Sequence, residues 1–153
     1  MSLYLVQHGK SMPKSVDPDQ GISEGGGAET RRIAEVAGGY GVKISQIKHS
    51  GKTRARKTAE IFASALNPAG VTEEVSGLKP MDDVAAFASA LKPDDDIMLV
   101  GHLPFMERMA AYLITGSTDR PVFKFQNSGI VCLNKNPDTG SWVIVWTLMP
   151  KIG

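Results

Sequence analysis

Two short apolar runs, each leading to a histidine, constrain the fold of this chain more than any other feature. Residues 3–6 precede His8, and Ile97–Gly101 precedes His102. Continuous apolar runs of this length are typical of strands buried on both faces of a sheet. Ligands of open α/β sheets bind beyond the carboxyl ends of the strands, so both imidazoles are expected in one crevice. The pattern favours an enzyme.

The rest of the chain alternates between strand and helix patterns. The spacing of apolar residues predicts four helices, over 23–39, 53–66, 84–91 and 103–114, with strands near 44–48 and 71–75 and a hairpin of 129–134 with 142–148. Ser23 is the expected cap of the first helix, Asp82 or Asp83 caps the third, and Pro93 follows its end. This order predicts a three-layer α/β/α sandwich on a mostly parallel open sheet. No linker or repeat is visible, so 1–153 is expected to be a single domain.

Composition and charge exclude several partners. The chain has 153 residues, of which 42% are hydrophobic and 22% charged, with a net charge of +1. Interspersed charges of both signs predict no binding to nucleic acid and none to an anionic membrane. No apolar run approaches the roughly 20 residues of a spanning helix, and no charged leader is present, so we expect a cytoplasmic protein. Cys132 is the only cysteine, and its apolar neighbours predict a core residue.

All three histidines of the chain fall near predicted strand ends, which raises the possibility of a metal site. His8, His49 and His102 together would suit zinc. However, the close pairs common in zinc sites are missing, and no second-shell partners can be identified. We therefore predict no metal, and we interpret His49 as a partly exposed residue at a strand end.

The segment from Ser50 to Ala59 predicts an anion site. It places a hydroxyl and the Arg54 guanidinium where a strand passes into a helix. The free N–H groups at a helix start favour negative charge, and a guanidinium matches the oxygens of a phosphate. Arg56 and Lys57 are displaced around the helix and are expected to face solvent.

With these motifs the sequence resembles the histidine phosphatase superfamily, and within it the small SixA-like phosphohistidine phosphatases. The resemblance is carried by three motifs and by the small size of the chain: Gln7-His8-Gly9, Ser50 with Arg54-Ala55 and Thr58, and Gly101-His102. It covers nearly the whole chain and implies a phosphoglycerate mutase-like fold.

The resemblance also implies a mechanism that needs neither metal nor cofactor. His8 would be the nucleophile that forms a phosphohistidine intermediate, and Arg54 and His102 would hold the phosphoryl oxygens. Gly9 would let the loop approach the phosphate closely, and Ser50 would contribute to substrate binding. Phosphoryl transfer requires in-line positioning and donors aimed at the equatorial oxygens, which these residue types supply.

Gln7 is the main departure from the family, which usually has arginine there. A charge-assisted hydrogen bond contributes about 1.5 to 3 kcal/mol, so its loss could slow turnover about tenfold to a hundredfold. Gln7 still offers an N–H donor, and Lys10 or Lys14 in the following loop is expected to restore the charge. A second departure is Gly51, where the family often has proline.

Asp83 is the expected general acid, although it also suits the role of helix cap. The lack of a clear glutamate in the site favours a phosphoramidate substrate, such as a phosphohistidine protein, over a small phosphomonoester. Partners are thus expected to be a phosphorylated protein or a small phosphorylated substrate, with the enzyme a monomer. The alternatives are a non-catalytic phosphate- or phosphoprotein-binding module, favoured by Gln7, and a phosphatase of small phosphomonoesters.

Overall fold

The computed structural model describes residues 2–92 and 96–152. Within these ranges, strands and helices alternate as predicted. The elements are β1 (Ser2–Gln7), α1 (Glu24–Gly39), β2 (Gln46–His49), α2 (Thr53–Leu66), β3 (Thr72–Glu74), α3 (Val84–Ser89), β4 (Ile97–Gly101), α4 (Phe105–Thr115), β5 (Ile130–Lys135) and β6 (Trp142–Leu148).

The sheet has the strand order β3-β2-β4-β1-β5-β6. The first four of these strands are parallel, and the hairpin of β5 and β6 adds two antiparallel strands at one edge. The predicted mostly parallel sheet is therefore confirmed.

Both faces of the sheet are covered, which confirms the three-layer architecture. Side chains alternate between the faces along a strand. Accordingly, Tyr4 and Val6 pack with residues of α1 and α2, whereas Leu3 and Leu5 pack with α3 and α4. Cys132 is buried on the α1/α2 side, as predicted.

Local signals set several helix ends. The Ser23 hydroxyl accepts a hydrogen bond from the N–H of Gly26 at 3.0 Å, and Asp83 caps α3. The last helix starts at Phe105 rather than 103, since a residue before proline, here Leu103, disfavours helical backbone angles. The third helix ends at Ser89, earlier than predicted, and Pro93 lies outside the described residues. No helix in the described part of the chain is long and apolar enough to cross a membrane.

Candidate active site

The register of the central strands brings the two strand-end histidines together. Gln7 at the end of β1 pairs with Gly101 at the end of β4, so His8 and His102 follow at the same level of the sheet. Their ring centroids are 5.1 Å apart. On the other side of β4, His49 pairs with Val100 and Ser50 follows it. The carboxyl edge of the sheet thus gathers two imidazoles and a hydroxyl, as the sequence predicted.

His8 is held in the orientation that a nucleophile needs. Its backbone N–H donates to the carbonyl of Gly101 at 2.9 Å, and its ring Nδ1 lies 2.7 Å from the carbonyl of Gly9. A carbonyl can only accept, so Nδ1 carries the proton and the lone pair is on Nε2. Nε2 has no hydrogen-bond partner among the described residues. Burial first, and then the charge of Arg54, lower the pKa of His8, while the bond to Gly9 opposes this change.

His102 is buried and hydrogen-bonded on one side only. Its Nε2 lies 2.6 Å from the Ser50 hydroxyl, whereas its Nδ1 is buried without a partner among the described residues. Burial, followed by the charges of His8, Arg54 and Lys52, lowers the pKa of His102 to about 3. The ring is therefore neutral near pH 7, and its Nδ1 is a buried polar atom of a kind that usually has a hydrogen-bond partner.

Helix α2 starts beside these rings and is tied to the nucleophile loop. Thr58 donates its hydroxyl hydrogen to the carbonyl of Arg54 at 2.7 Å and accepts the backbone N–H of Gly9 at 2.8 Å. The first turn of α2 carries no acidic residue. Arg54 is half-buried, and burial lowers its pKa from the ordinary value. A guanidinium and the free N–H groups of a helix start thus lie at one place, which is an anion-binding arrangement.

Gly9 leaves no room for a side chain. A Cβ on Gly9 would lie 2.7 Å from the Thr30 hydroxyl and 3.3 Å from that of Ser128. These two hydroxyls are themselves hydrogen-bonded at 2.7 Å. Close packing against α1, more than proximity to a ligand, explains the glycine in this structure.

Gln7 points an unpaired amide oxygen into the protein. Its Oε1 is buried without a hydrogen-bond partner among the described residues, while its backbone carbonyl accepts the N–H of Ser128 at 2.9 Å. Buried polar atoms are usually hydrogen-bonded, so Gln7 is an exception at the end of β1, directly before His8.

The lysines expected to replace the missing arginine are both exposed. Lys10 and Lys14 are not among the charges that lower the pKa values of His8 and His102. Lys52 is half-buried and does act on His102. Its backbone N–H also donates to the Ser50 hydroxyl at 3.3 Å.

Asp83 is far from His8 in the sequence, but it lines the same cleft as Ser50. The Asp83 carboxylate accepts the N–H of Ala86 at 3.1 Å, which is the capping role expected of it. It is exposed on the wall of a cleft of about 830 Å³ that is also lined by Ser50, Glu74 and Asp82.

His49 is buried, so the prediction of partial exposure is wrong. Only 5% of its surface is accessible, because β3 and the Ser50 turn cover the end of β2. Its Nδ1 accepts the N–H of Gly51 at 3.1 Å. In the described ranges no three histidine, cysteine, aspartate or glutamate side chains are grouped to hold a metal ion.

Two residues of the site were missed by sequence reasoning. Asn127 donates from Nδ2 to the backbone carbonyl of His8 at 2.8 Å. Asn127 is far from His8 in the sequence and lies outside the named strands, so no sequence pattern indicated this contact. Lys52 did carry a signal, because it precedes Arg54 by two residues at the same strand-to-helix junction.

Comparison with known sequences identifies a relative of this chain. No protein-family model matches the chain. An uncharacterized protein of Picosynechococcus sp. is 30% identical over 142 residues, which cover 87% of this chain and 84% of that protein.

Similar solved structures include several phosphatases. The protein histidine phosphatase SixA complexed with tungstate has a TM-score of 0.84 and 24% identity, with 98% of this chain and 97% of that chain covered. A phosphoserine phosphatase mutant from Entamoeba histolytica, in complex with phosphoserine, has a TM-score of 0.72 and 14% identity, with 98% of each chain covered. These similarities show a shared fold.

Proposed function

Since the chain belongs to one family with the Picosynechococcus protein and has the fold of the histidine phosphatase superfamily, we propose that it is a metal-independent phosphatase with a phosphohistidine intermediate. The observation that carries the proposal is the His8 ring. Its Nδ1–H is fixed on Gly9 and its Nε2 is free, beside a second neutral imidazole and a guanidinium.

In the first step, the Nε2 lone pair of His8 attacks phosphorus while the bond to the leaving group breaks. The Gly9 carbonyl stabilises the imidazolium character that develops on Nδ1–H. Arg54 and His102 donate hydrogen bonds to the phosphoryl oxygens, where they offset developing charge. In the second step, water attacks the phosphohistidine and releases phosphate, which restores neutral His8.

The substrate class favoured here is a phosphoramidate, namely a phosphohistidine protein. A leaving imidazole needs one proton to depart as a neutral molecule, whereas an alkoxide ester requires a strong general acid. Two carboxylates that could supply this proton, Asp83 and Glu74, line the cleft that Ser50 also lines. Asp83 in addition caps helix α3. Asp83 is the proposed proton donor. Small phosphomonoesters are expected to be poorer substrates.

A direct test compares phosphoramidate with phosphoserine, an alkyl phosphomonoester, as substrates. The protein should hydrolyse phosphoramidate with the higher kcat/KM, and a chelator should leave the rate unchanged. The variants Arg54→Ala and His102→Ala should each lower turnover at least about tenfold, because each loses a donor to the transition state. A folded protein that binds phosphate but hydrolyses neither compound would instead be the non-catalytic binding module, which the neutral Gln7 favours.

The Asp83 assignment has its own control within the same assay. Asparagine caps helices as well as aspartate does, so Asp83→Asn keeps the cap and removes the acid. We expect phosphoserine hydrolysis, which expels an alkoxide, to fall and phosphoramidate hydrolysis to change little. If the variant carries out both reactions at the native rates, Asp83 has no part in the mechanism. The cytoplasmic location, the monomeric state and the single domain stay predictions.

A further inference from the structure

A second opening of the molecule, about 950 Å³ in volume, carries three lysines beside the nucleophile loop. We call it the lysine cleft and define it by Lys10, Lys124 and Lys151. Among the described residues that line it, Glu29 is the only acidic one, so these residues carry a net positive charge. All three lysines are exposed, and none forms an ion pair within the described residues.

The lysine cleft is joined to the candidate active site by direct contacts. Asn127 lines the cleft and donates its side-chain N–H to the carbonyl of His8 at 2.8 Å. Lys10 is two residues beyond His8, and its carbonyl accepts the backbone N–H of Ser23 at 2.9 Å. The cleft therefore adjoins the loop that carries the nucleophile.

The backbone at Lys151 is held beside the loop that contacts His8. Gln126 donates from Nε2 to the carbonyl of Lys151 at 2.9 Å and accepts the N–H of Lys151 at 3.0 Å. Arg32 adds a hydrogen bond to the carbonyl of Pro150 at 3.0 Å. The backbone of Lys151 is thus bound to the segment that contains Asn127, which contacts His8.

We propose that the lysine cleft is the docking surface for an acidic protein segment flanking the phosphorylated residue of the substrate. This inference rests on the proposed function and deepens it. The cleft is far larger than a phosphoryl group, and its unpaired ammonium groups complement carboxylates of a partner. No aromatic side chain is found among its described lining residues, so it lacks the stacking platform that single-stranded nucleic acids use.

The test uses two phosphohistidine peptides of equal length, one flanked by glutamates and one by lysines, together with free phosphoramidate. The native enzyme should cleave the glutamate peptide with a kcat/KM at least about fivefold above that of the lysine peptide at low salt. The difference should shrink at high salt, because exposed charges are screened over about 8 Å at 0.15 M.

The decisive variant is Lys124→Glu/Lys151→Glu, which leaves Lys10 in place. It should lose the preference for the glutamate peptide and keep phosphoramidate hydrolysis within about twofold of the native rate. Lys43→Glu/Lys135→Glu makes the same change of charge at exposed positions at the opposite end of the strands, before β2 and at the end of β5, and it should behave like the native enzyme. Equal effects of the two double variants would overturn the inference.

Binding of the unphosphorylated glutamate peptide, followed by fluorescence anisotropy, tests docking independently of catalysis. The native protein should bind it more tightly than the Lys124→Glu/Lys151→Glu variant does. Failure to hydrolyse any of the three substrates would contradict the phosphatase function alone, since docking is still judged by anisotropy. Equal peptide affinities in the two proteins, or tighter binding of a single-stranded oligonucleotide than of the peptide, would contradict the docking surface.

Discussion

At the residue scale, the neutral Gln7 would leave the proposed phosphate site one cation short, and we predict that Lys52 supplies it. Lys52 is half-buried at the start of α2, and its charge reaches His102. Its side chain makes no capping bond, so removing its charge should leave the helix start intact. The sequence pointed to Lys10 or Lys14 because they follow the motif directly, but side-chain direction is set by the fold.

We predict that Lys52→Met weakens the binding of inorganic phosphate by about tenfold, the factor expected for one charge-assisted bond. Lys10→Ala and Lys14→Ala should change it little, and adding Gln7→Arg to Lys52→Met should restore it. The Kd for phosphate, measured by calorimetry, checks this. Loss of affinity in Lys10→Ala or Lys14→Ala, with none in Lys52→Met, would assign the charge to the loop instead.

At the element scale, the turn between β2 and α2 holds groups of the proposed phosphate site together. His49 accepts the N–H of Gly51, and Ser50 between them contacts His102 at 2.6 Å. Gly51 has a φ of +88°, which a residue with a side chain adopts only under strain. The family's usual proline could not occupy this conformation, because its ring fixes φ near −65°. Where the family often has proline, this chain thus has Gly51, and the hydrogen bond from its N–H to His49 stabilises the turn.

We predict that His49→Leu lowers kcat about tenfold while His49→Asn stays near the native value. Asparagine retains an acceptor for the Gly51 N–H, whereas leucine leaves that N–H unpaired at a cost of about 1 to 3 kcal/mol. Because His49 acts through Ser50 and His102, the KM should change less than kcat. The thermal midpoint of each variant provides the folding control, and equal kcat losses in the two variants would argue against this positioning role.

The elements themselves were largely predictable, because strand and helix periodicity are local properties. α2 and β4 have the predicted bounds, and the Ser23 and Asp83 caps form as expected. Departures occur where a tertiary contact or a proline decides the boundary, as at Leu103. The grouping of His8, Ser50 and His102 followed from the parallel order, but the contact of Asn127 with His8 depends on a loop whose path no periodicity describes.

At the scale of the whole molecule, the buried histidines make folding sensitive to acid. Burial is the main cause that lowers the pKa values of His8, His49 and His102 from 6.5 in the folded protein. Below pH 6.5 the unfolded chain therefore binds more protons than the folded one. The contribution of these neutral histidines to the free energy of unfolding is fully present above this pH. It is lost as the pH falls toward their pKa values in the folded protein, and the pKa of His102 is about 3.

We predict that the free energy of unfolding decreases between pH 7 and pH 5, with a slope of up to about 1.4 kcal/mol per pH unit for each such histidine. Urea denaturation across this range measures the slope. His102→Asn should have a shallower slope than the native protein, whatever its stability at pH 7. Identical slopes would show that His102 is not neutral in the folded state.

The proposed mechanism depends on a covalent bond between phosphorus and His8. Brief incubation with radiolabelled phosphoramidate, followed by an alkaline quench, should leave label on the native protein. The label should be lost in acid, map to the peptide containing His8, and be absent from a folded His8→Asn variant, which should also lack turnover. A His8→Asn protein that still turns over substrate, or a label on the native protein that survives acid, would contradict the mechanism.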